Sequence, residues 1–334
     1  MPREILARGL IFSLRHAPCA HICRYCLVSE TRKGTKLPFA RFEQLVHRFY
    51  DWKASGQTDI DIRTFIGPSL DYDIDVLRGV GRLRARRGRT FDILNLGGLR
   101  IRDADALTTW IEERQAAGIV GFHTSLAGAA ATHDRWNGRR GDFDYQIAIL
   151  RMAGERGMVR QERLFITKNT LPLFDALLDT MESIPGEVRG RIVTPFFYAG
   201  LGRRYEDERI TEDERGHLPE RIVKLRRGRF NEWRSEREWI PLLMETAGQP
   251  RKLAMKLDVH EGNIDQLETS SCEEIFAGQE RLYREGYRRM PSFEELCARY
   301  GDPDGRKVYM QPRDLEGKWM DMHERETGVP IPPD

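Results

Sequence analysis

Hydrophobic and polar positions over the first two thirds of the chain alternate between two patterns. Short β-type runs occur at six places, 9–16, 60–66, 90–96, 119–125, 163–169 and 190–198. Between them, apolar residues fall at helical spacing in five stretches, 38–55, 72–87, 103–118, 143–157 and 171–184. Strands that alternate with helices in this way predict a parallel sheet. The first helical stretch carries its apolar residues on one face, which predicts a core-facing helix with Phe39, Phe42, Leu45, Val46, Phe49 and Tyr50.

These six units predict an α/β fold, a partial (β/α)6 barrel of the TIM type over residues 1–204. From about residue 205 the sequence becomes charged and mainly helical, interrupted by a strand-like run at 252–260. We expect residues 205–334 to form a C-terminal extension that covers the substrate. In barrels of this kind, reactive groups collect on the loops that follow the C-terminal ends of the strands.

Composition mainly excludes classes of function. The 54 basic and 52 acidic residues give a net charge of +2, so nucleic acid is not an expected partner. Two local basic stretches, 82–89 and 224–229, are expected to be solvated surface. No apolar run approaches the ~20 residues of a membrane span, and the N-terminal apolar stretch is too short and too charged for a signal peptide. We expect a cytoplasmic protein without a membrane partner.

Three of the five cysteines, Cys19, Cys23 and Cys26, lie in the segment PCAHICRYC, directly after the first predicted strand. An odd, clustered set of cysteines does not suit a disulfide framework. The residues alone leave three interpretations open. The first is a structural zinc site completed by His16 or His21, and the second is a redox pair of Cys23 and Cys26. The third is a [4Fe-4S] cluster held by three thiolates, with one iron open to a ligand.

The C-x3-C-x2-C spacing, with Tyr25 before the last cysteine, resembles the radical S-adenosylmethionine (SAM) superfamily. The resemblance extends to about residue 200. Within it, segment 123–150 is similar to the SPASM and anaerobic-sulfatase-maturase branch, with Ala127 where that branch usually has Asp. The resemblance implies that the three cysteines hold a [4Fe-4S] cluster and that SAM binds the open iron. It also implies an electron donor such as flavodoxin or ferredoxin.

The same resemblance implies a SAM site at the strand ends. Ser125 would contact the ribose or the amino-acid part of SAM, and Arg139 or Arg140 would meet its carboxylate. His133 and Asp134 are expected to cap and orient the loop that follows them. The residues expected to bind the cofactor are Tyr25, Gly67, Ser69, Ser125, Arg139, Arg140, Asn169 and Thr194. Of these, Asn169 and Thr194 would lie beside the adenine.

One element differs from the family pattern. After the second strand, most members carry G-G-E, whose backbone and carboxylate hold the amino group of SAM, whereas this chain reads FIGPSLDY. Gly67 stands at the expected place, and Ser69 or Asp71 would replace the usual acceptor. Contacts to the methionyl part of SAM are therefore expected to differ from the family's.

SPASM proteins carry further cysteines in the C-terminal third, where this chain has Cys272 and Cys297. Two cysteines are too few for an auxiliary cluster, so we expect Cys272 to return a hydrogen atom to a substrate radical, as in aminoglycoside epimerases. The expected activity is hydrogen abstraction from a small polar metabolite, a sugar, cyclitol or aminoglycoside, giving epimerisation or dehydrogenation. The alternatives are a peptide-modifying radical SAM enzyme and, from another class, a noncatalytic zinc-stabilised binding module.

Overall fold

Strands separated by helices form the first two thirds of the structure. The computed structural model describes residues 5–27, 34–69, 71–225, 233–245, 247 and 249–332. The strands of this part are β1 (Ile5–Ala17), β2 (Asp61–Pro68), β3 (Ile93–Asn95), β4 (Gly121–Leu126), β5 (Val159–Phe165) and β6 (Val188–Thr194). Its helices are α1 (Phe39–Ala54), α2 (Ile74–Ala85), α3 (Ala104–Ala116), α4 (Ala130–Asn137), α5 (Asp142–Glu155) and α6 (Phe174–Glu182).

The C-terminal third is mainly helical, as its charged sequence predicts. Its helices are α7 (Glu212–Gly216), α8 (Glu220–Leu225), α9 (Glu236–Met244), α10 (Ile264–Thr269), α11 (Cys272–Arg288), α12 (Phe293–Tyr300) and α13 (Pro312–Thr327). Its strands are β7 (Arg234–Ser235), β8 (Arg251–Val259) and β9 (Val308–Tyr309). None of the helices in the described residues combines the length and apolar character needed to cross a lipid bilayer. Part of the second basic stretch, 226–229, lies outside the described residues.

Hydrogen bonding groups the long strands into two parallel sheets. The first has the order β2-β1-β8, and the second runs β3-β4-β5-β6 in chain order. The prediction of an α/β fold with parallel strands is therefore confirmed. The strand-like run predicted at 252–260 becomes β8 and pairs with β1 along its whole length, from Arg251 to Val259. A segment from beyond residue 205 thus flanks the strand that leads into the cysteines.

Two predicted strands are displaced along the chain: β6 ends at Thr194 rather than at 198, and β5 is shifted at both ends. β5 ends at Phe165, four residues before the end of the predicted run at 163–169, so Asn169 lies beyond the strand. The strand instead includes Arg160 and Glu162, both buried and joined by a hydrogen bond of 2.6 Å from Nε to Oε1. Charged residues predict surface or loop, but this pair compensates its own charges inside the fold. The sequence pattern therefore placed the strand too far along the chain.

The core lies between the strands and their covering helices. All six apolar residues predicted on the inner face of α1 are buried, which confirms that prediction. The rings of Phe12 on β1 and Phe49 on α1 meet edge to face, with centroids 4.7 Å apart. Leu10, Phe12 and Leu14 are fully buried along the middle of β1. Packing against α1 therefore fixes the position of β1, the strand that leads into the cysteines.

The first basic stretch, 82–89, lies at the end of α2 and the turn that follows it. The guanidinium of Arg82 donates two hydrogen bonds, of 2.7 and 2.8 Å, to the carboxylate of Glu43. Arg87 donates to Asp61 at 3.1 Å. Neighbouring carboxylates thus neutralise part of this stretch, in keeping with the surface role expected for it.

We expect Leu10→Ala to lower the free energy of unfolding by about 2–5 kcal/mol, because it empties a fully enclosed position in the central strand. Leu282→Ala is the matched control, since Leu282 is 49% exposed on α11, and we expect a change within about 0.5 kcal/mol. Urea unfolding of both variants measures the difference. Equal losses would contradict the central place given to β1.

Candidate functional site

A cavity of about 290 Å³ lies where the cysteine loop, residues 18–27, meets the carboxyl ends of strands β2 to β5. Parallel strands bring their carboxyl ends to one edge, so loops from distant parts of the sequence converge there. The thiols of Cys19, Cys23 and Cys26 all belong to residues that line this cavity. The strands contribute Phe65, Gly67, Asn95, Ser125, Arg163 and Phe165.

Backbone hydrogen bonds hold the cysteine loop against two neighbouring loops. The amide of Ala20 donates to the carbonyl of Gly98 at 3.2 Å, after β3. The amide of Ile22 donates to the carbonyl of Asn137 at 3.0 Å, at the end of α4. Both attachments lie before the middle cysteine, Cys23, and they hold a loop that has no helix or strand of its own.

Gly98 allows the loop after β3 to approach the first cysteine. Its φ angle is +80°, a conformation that side chains rarely adopt, and a Cβ atom there would lie 2.7 Å from Sγ of Cys19. The same atom would lie 3.0 Å from Cβ of Ser69, whose hydroxyl donates to the Gly98 carbonyl at 2.9 Å. Gly98 is not among the site residues that the sequence predicts. The paired glycines directly after a strand, in NLGG, were the signal available.

Behind the cavity lies a fully buried carboxylate, Asp142, at the first position of α5. Five side chains contact it: His21, His133, Asn137, Arg139 and Gln146. Nε2 of His21 lies 3.2 Å from Oδ1, and Nε2 of His133 lies 3.0 Å from Oδ2. Arg139 donates from Nε to Oδ1 at 3.0 Å. A buried charge is tolerated when it is paired in this way.

In both histidines the other ring nitrogen, Nδ1, accepts a hydrogen bond from a backbone amide. Nδ1 of His21 accepts from the amide of Gly98 at 3.2 Å, and Nδ1 of His133 accepts from the amide of Ala127 at 3.1 Å. An imidazole that accepts at Nδ1 carries its proton on Nε2, which in each ring faces Asp142. His21 therefore has no free lone pair for a metal ion and cannot act as the fourth ligand of a zinc ion.

The other histidine of the zinc interpretation, His16, packs in an apolar setting. Its ring centroid lies 5.8 Å from that of Phe39 and 6.0 Å from that of Tyr72. Within the described residues, no group of three or more His, Cys, Asp or Glu side chains is arranged to hold a metal ion. The ligands of an iron–sulfur cluster bind to separate irons, whereas zinc ligands converge on one ion.

Two shifted pKa values follow from this arrangement. Burial alone would raise the pKa of Asp142, but its contacts with His133 and His21 hold that pKa far below the usual value. The pKa of the Cys23 thiol is raised by its burial and by the negative charge that Cys19, Cys26 and Asp142 place around it. This shift favours the protonated thiol at Cys23, and a metal ion bound to the sulfur would favour the thiolate instead.

An aromatic cluster forms one side of the cavity. The ring of Tyr25 stacks on Phe196, with centroids 4.9 Å apart and planes 12° apart, and lies 4.7 Å from the ring of Phe165. Its hydroxyl donates to Oδ1 of Asn137 at 2.5 Å. Since Tyr25 sits between the second and third cysteines, this packing fixes the C-terminal half of the loop.

The residues predicted to bind the cofactor divide into two groups. Those that line the cavity with the three cysteines are Tyr25, Gly67 and Ser125. Those that are not among the lining residues are Ser69, Arg139, Arg140, Asn169 and Thr194.

The residues of the second group have other surroundings. The hydroxyl of Ser69 donates to the carbonyl of Gly98. Arg139 donates to Asp142 and to the carbonyl of Leu99, and Asn169 donates to Glu208. These contacts explain why three of the five do not face the cavity. Arg140 is exposed, and the buried hydroxyl of Thr194 has no hydrogen-bond partner among the described residues.

Cys272 does not line the cavity either. It begins α11, 9% exposed, and belongs to the main hydrophobic core. Asp134 has the role expected of it, because its carboxylate accepts from the amides of Gly141 and Phe143 at 2.5 and 2.9 Å and thereby caps α5.

The residues present fit an iron–sulfur cluster held by three thiolates. Three thiols face one cavity, the histidine in their loop is committed elsewhere, and none of the described lining residues is Asp or Glu. Iron–sulfur clusters take thiolate ligands, and carboxylates are not needed. Cys19, Cys23 and Cys26 would hold the cluster, and the ends of β2, β3 and β4 would face its open side.

No protein-family model matches this sequence, and no curated protein matches it. Among solved structures, the chain is similar to Streptococcus suis SuiB bound to S-adenosylmethionine, at 14% identity and a TM-score of 0.40, over 57% of this chain and 42% of SuiB. SuiB bound to precursor peptide SuiA matches at 14% identity and a TM-score of 0.45, over 66% and 46%.

A third similar structure is coproporphyrinogen III oxidase, HemN, from Escherichia coli, described as a radical SAM enzyme. It matches at 13% identity and a TM-score of 0.43, over 72% of this chain and 54% of HemN. In these three matches the chain spans about half of the length of the other protein, or less.

We expect Gly98→Ala to impair metal retention, because the added methyl group meets Sγ of Cys19 in an enclosed, positive-φ position. Iron per chain, measured after anaerobic reconstitution and gel filtration, should fall below about half of the wild-type value. Gly118→Ala is the control, since Gly118 has φ of +94° but no atom within 4 Å of the added methyl. Wild-type iron content in Gly98→Ala would contradict this account of the loop.

We expect Asp142→Asn to lower the free energy of unfolding by about 3–5 kcal/mol, because it leaves the Arg139 guanidinium without its buried carboxylate. Asp144→Asn, two residues later on the exposed side of α5, should change it by less than about 0.5 kcal/mol. Denaturant unfolding of the two isosteric variants at neutral pH decides the matter. Similar stabilities for both would show that the network is dispensable.

Proposed function

We propose that the chain is a radical SAM enzyme that acts on a small polar metabolite. In this proposal Cys19, Cys23 and Cys26 hold a [4Fe-4S] cluster, and SAM binds beside Gly67 and Ser125. When bound, the cluster and SAM supply a 5′-deoxyadenosyl radical that abstracts hydrogen from an unactivated carbon. The observation that carries the proposal is that the C-x3-C-x2-C cysteines line one cavity at the carboxyl ends of parallel strands.

The remaining lining residues suit the task of holding a reactive pair away from water. Phe165, Phe196 and Phe197 present apolar rings to the cavity, and such surfaces keep water from the reacting atoms. Asn95 and Ser125 offer polar groups at the strand ends, where they would orient hydroxyl groups of a substrate. Orientation by fixed strands, rather than mobile loops, favours attack at a single carbon.

Epimerisation or dehydrogenation of a sugar, cyclitol or aminoglycoside is the reaction class that we propose. Return of a hydrogen atom by Cys272 stays a prediction, and since that thiol lies in the hydrophobic core, the proposal does not depend on it. A small electron-transfer protein, flavodoxin or ferredoxin, as donor and a cytoplasmic location belong to the same proposal. So does a C-terminal extension from residue 205 that covers the substrate.

The triple variant Cys19→Ala, Cys23→Ala, Cys26→Ala should lose the cluster, because no other described residue in the cavity offers a thiolate. Anaerobically reconstituted wild-type protein should contain about four irons per chain and form 5′-deoxyadenosine from SAM and dithionite. The double variant Cys272→Ala, Cys297→Ala is the control and should keep its iron. If the triple variant retains iron and SAM cleavage, or the wild type binds one zinc and no iron, the proposed function fails.

A further inference from the structure

Arg163 is a cation at the wall of the cavity that the proposed function does not use. It lies on β5 in register with Ser125 on β4, so the two side chains point to the same face of the sheet. Both residues line the cavity that holds the three cysteines. Its guanidinium carbon lies 5.9 Å from the ring centroid of Phe197, which also lines the cavity.

No described residue neutralises this guanidinium. Arg163 makes no ion pair and no side-chain hydrogen bond within the described part of the chain, and its buried Nε has no partner. Burial lowers its pKa from the ordinary value, but an arginine stays charged at any physiological pH. Most other arginines of the described barrel, such as Arg160 and Arg191, are paired with carboxylates.

The described surroundings of Arg163 contain no carboxylate, and the histidine beside it is neutral. None of the described residues that line the cavity is Asp or Glu. His123, two residues before Ser125 on β4, has its pKa lowered to about 4 by burial and by the charge of Arg163. The side-chain amide of Asn95 donates from Nδ2 to Nδ1 of His123 at 3.1 Å, so this ring is neutral and brings no charge to the cavity.

We propose that Arg163 binds an oxyanion, a carboxylate or a phosphate group, of the substrate that enters this cavity. A guanidinium presents its donors in a fork that matches such groups, and pairing would compensate a charge that is otherwise desolvated at a cost. This inference rests on the proposed function and narrows its substrate class. Sugar acids and sugar phosphates fit, whereas an aminoglycoside would bring ammonium groups towards an unpaired cation.

Equilibrium dialysis of the reconstituted full-length protein with radiolabelled inorganic phosphate tests the site. Wild-type protein should bind phosphate in one saturable class, and Arg163→Gln should weaken that binding about tenfold or more, because a charged hydrogen-bond donor is lost. Arg151→Gln removes the same charge from an exposed position on α5 and should leave the phosphate affinity unchanged. Equal phosphate affinity in wild type and Arg163→Gln overturns the proposal.

A second variant covers the case in which Arg163→Gln does not fold. Arg163→Lys keeps the charge but loses the fork, so it should bind phosphate more weakly than wild type and more tightly than Arg163→Gln. Circular dichroism establishes that each variant is folded. Wild-type affinity in Arg163→Lys together with an unfolded Arg163→Gln would overturn the assignment of the forked contact.

SAM also carries a carboxylate that could bind Arg163. Measuring the affinity for SAM distinguishes this carboxylate from an oxyanion of the substrate. We expect the affinity of the reconstituted protein for SAM to change less than about threefold in Arg163→Gln, since the substrate, not the cofactor, uses this residue. A loss of tenfold or more in SAM affinity assigns Arg163 to the cofactor and overturns the proposal. If neither the wild-type protein nor any variant forms 5′-deoxyadenosine, but phosphate binding still depends on Arg163, the proposed function fails and the anion site stands.

Discussion

One buried carboxylate determines how the parts of the site fit together. Asp142 is contacted by His21 from the cysteine loop, by His133 from the middle of α4, and by Arg139 from the segment after α4; Arg139 also binds the Leu99 carbonyl in the loop after β3. Because an unpaired buried charge is so unfavourable, the native state requires all of these partners at once. The cysteine loop, α4 and the loop after β3 are therefore fixed by a single compensated charge.

Arg163 lines the cavity, whereas the carboxylate of Asp142 is buried outside its lining. The field of Asp142 still reaches Cys23, whose thiol pKa is raised by burial, by Cys19 and Cys26, and by Asp142. Binding of a metal and the release of thiol protons are thus coupled at this loop. An anionic ligand at Arg163 would complete the balance of charge across the cavity.

Much of the architecture could be predicted because it depends on periodicity and on local spacing, as in the alternation of strands and helices and the cysteine loop. Residues whose role depends on packing could not. Asp142 and Asp144 lie in one motif, GDFD, and only the contact between α4 and α5 decides that the first is buried. Gly98 matters because of an approach from residue 19, and Arg163 because its neighbours lack carboxylates. These features arise from contacts between distant segments at the edge of the sheet. The sequence of any single segment therefore does not reveal them.

β8 has a consequence for the order in which the chain can be assembled during synthesis. Strand β1, at residues 5–17, receives its second neighbour only from residues 251–259. Until most of the chain has left the ribosome, β1 has one open edge together with apolar side chains such as Leu10 and Phe12, which are fully enclosed in the finished fold. An open strand edge of this kind is a template for pairing with other chains. The segment that leads into the cysteines is thus made long before the strand that covers its second edge, and a chaperone that shields β1 would act before residues 251–259 are made.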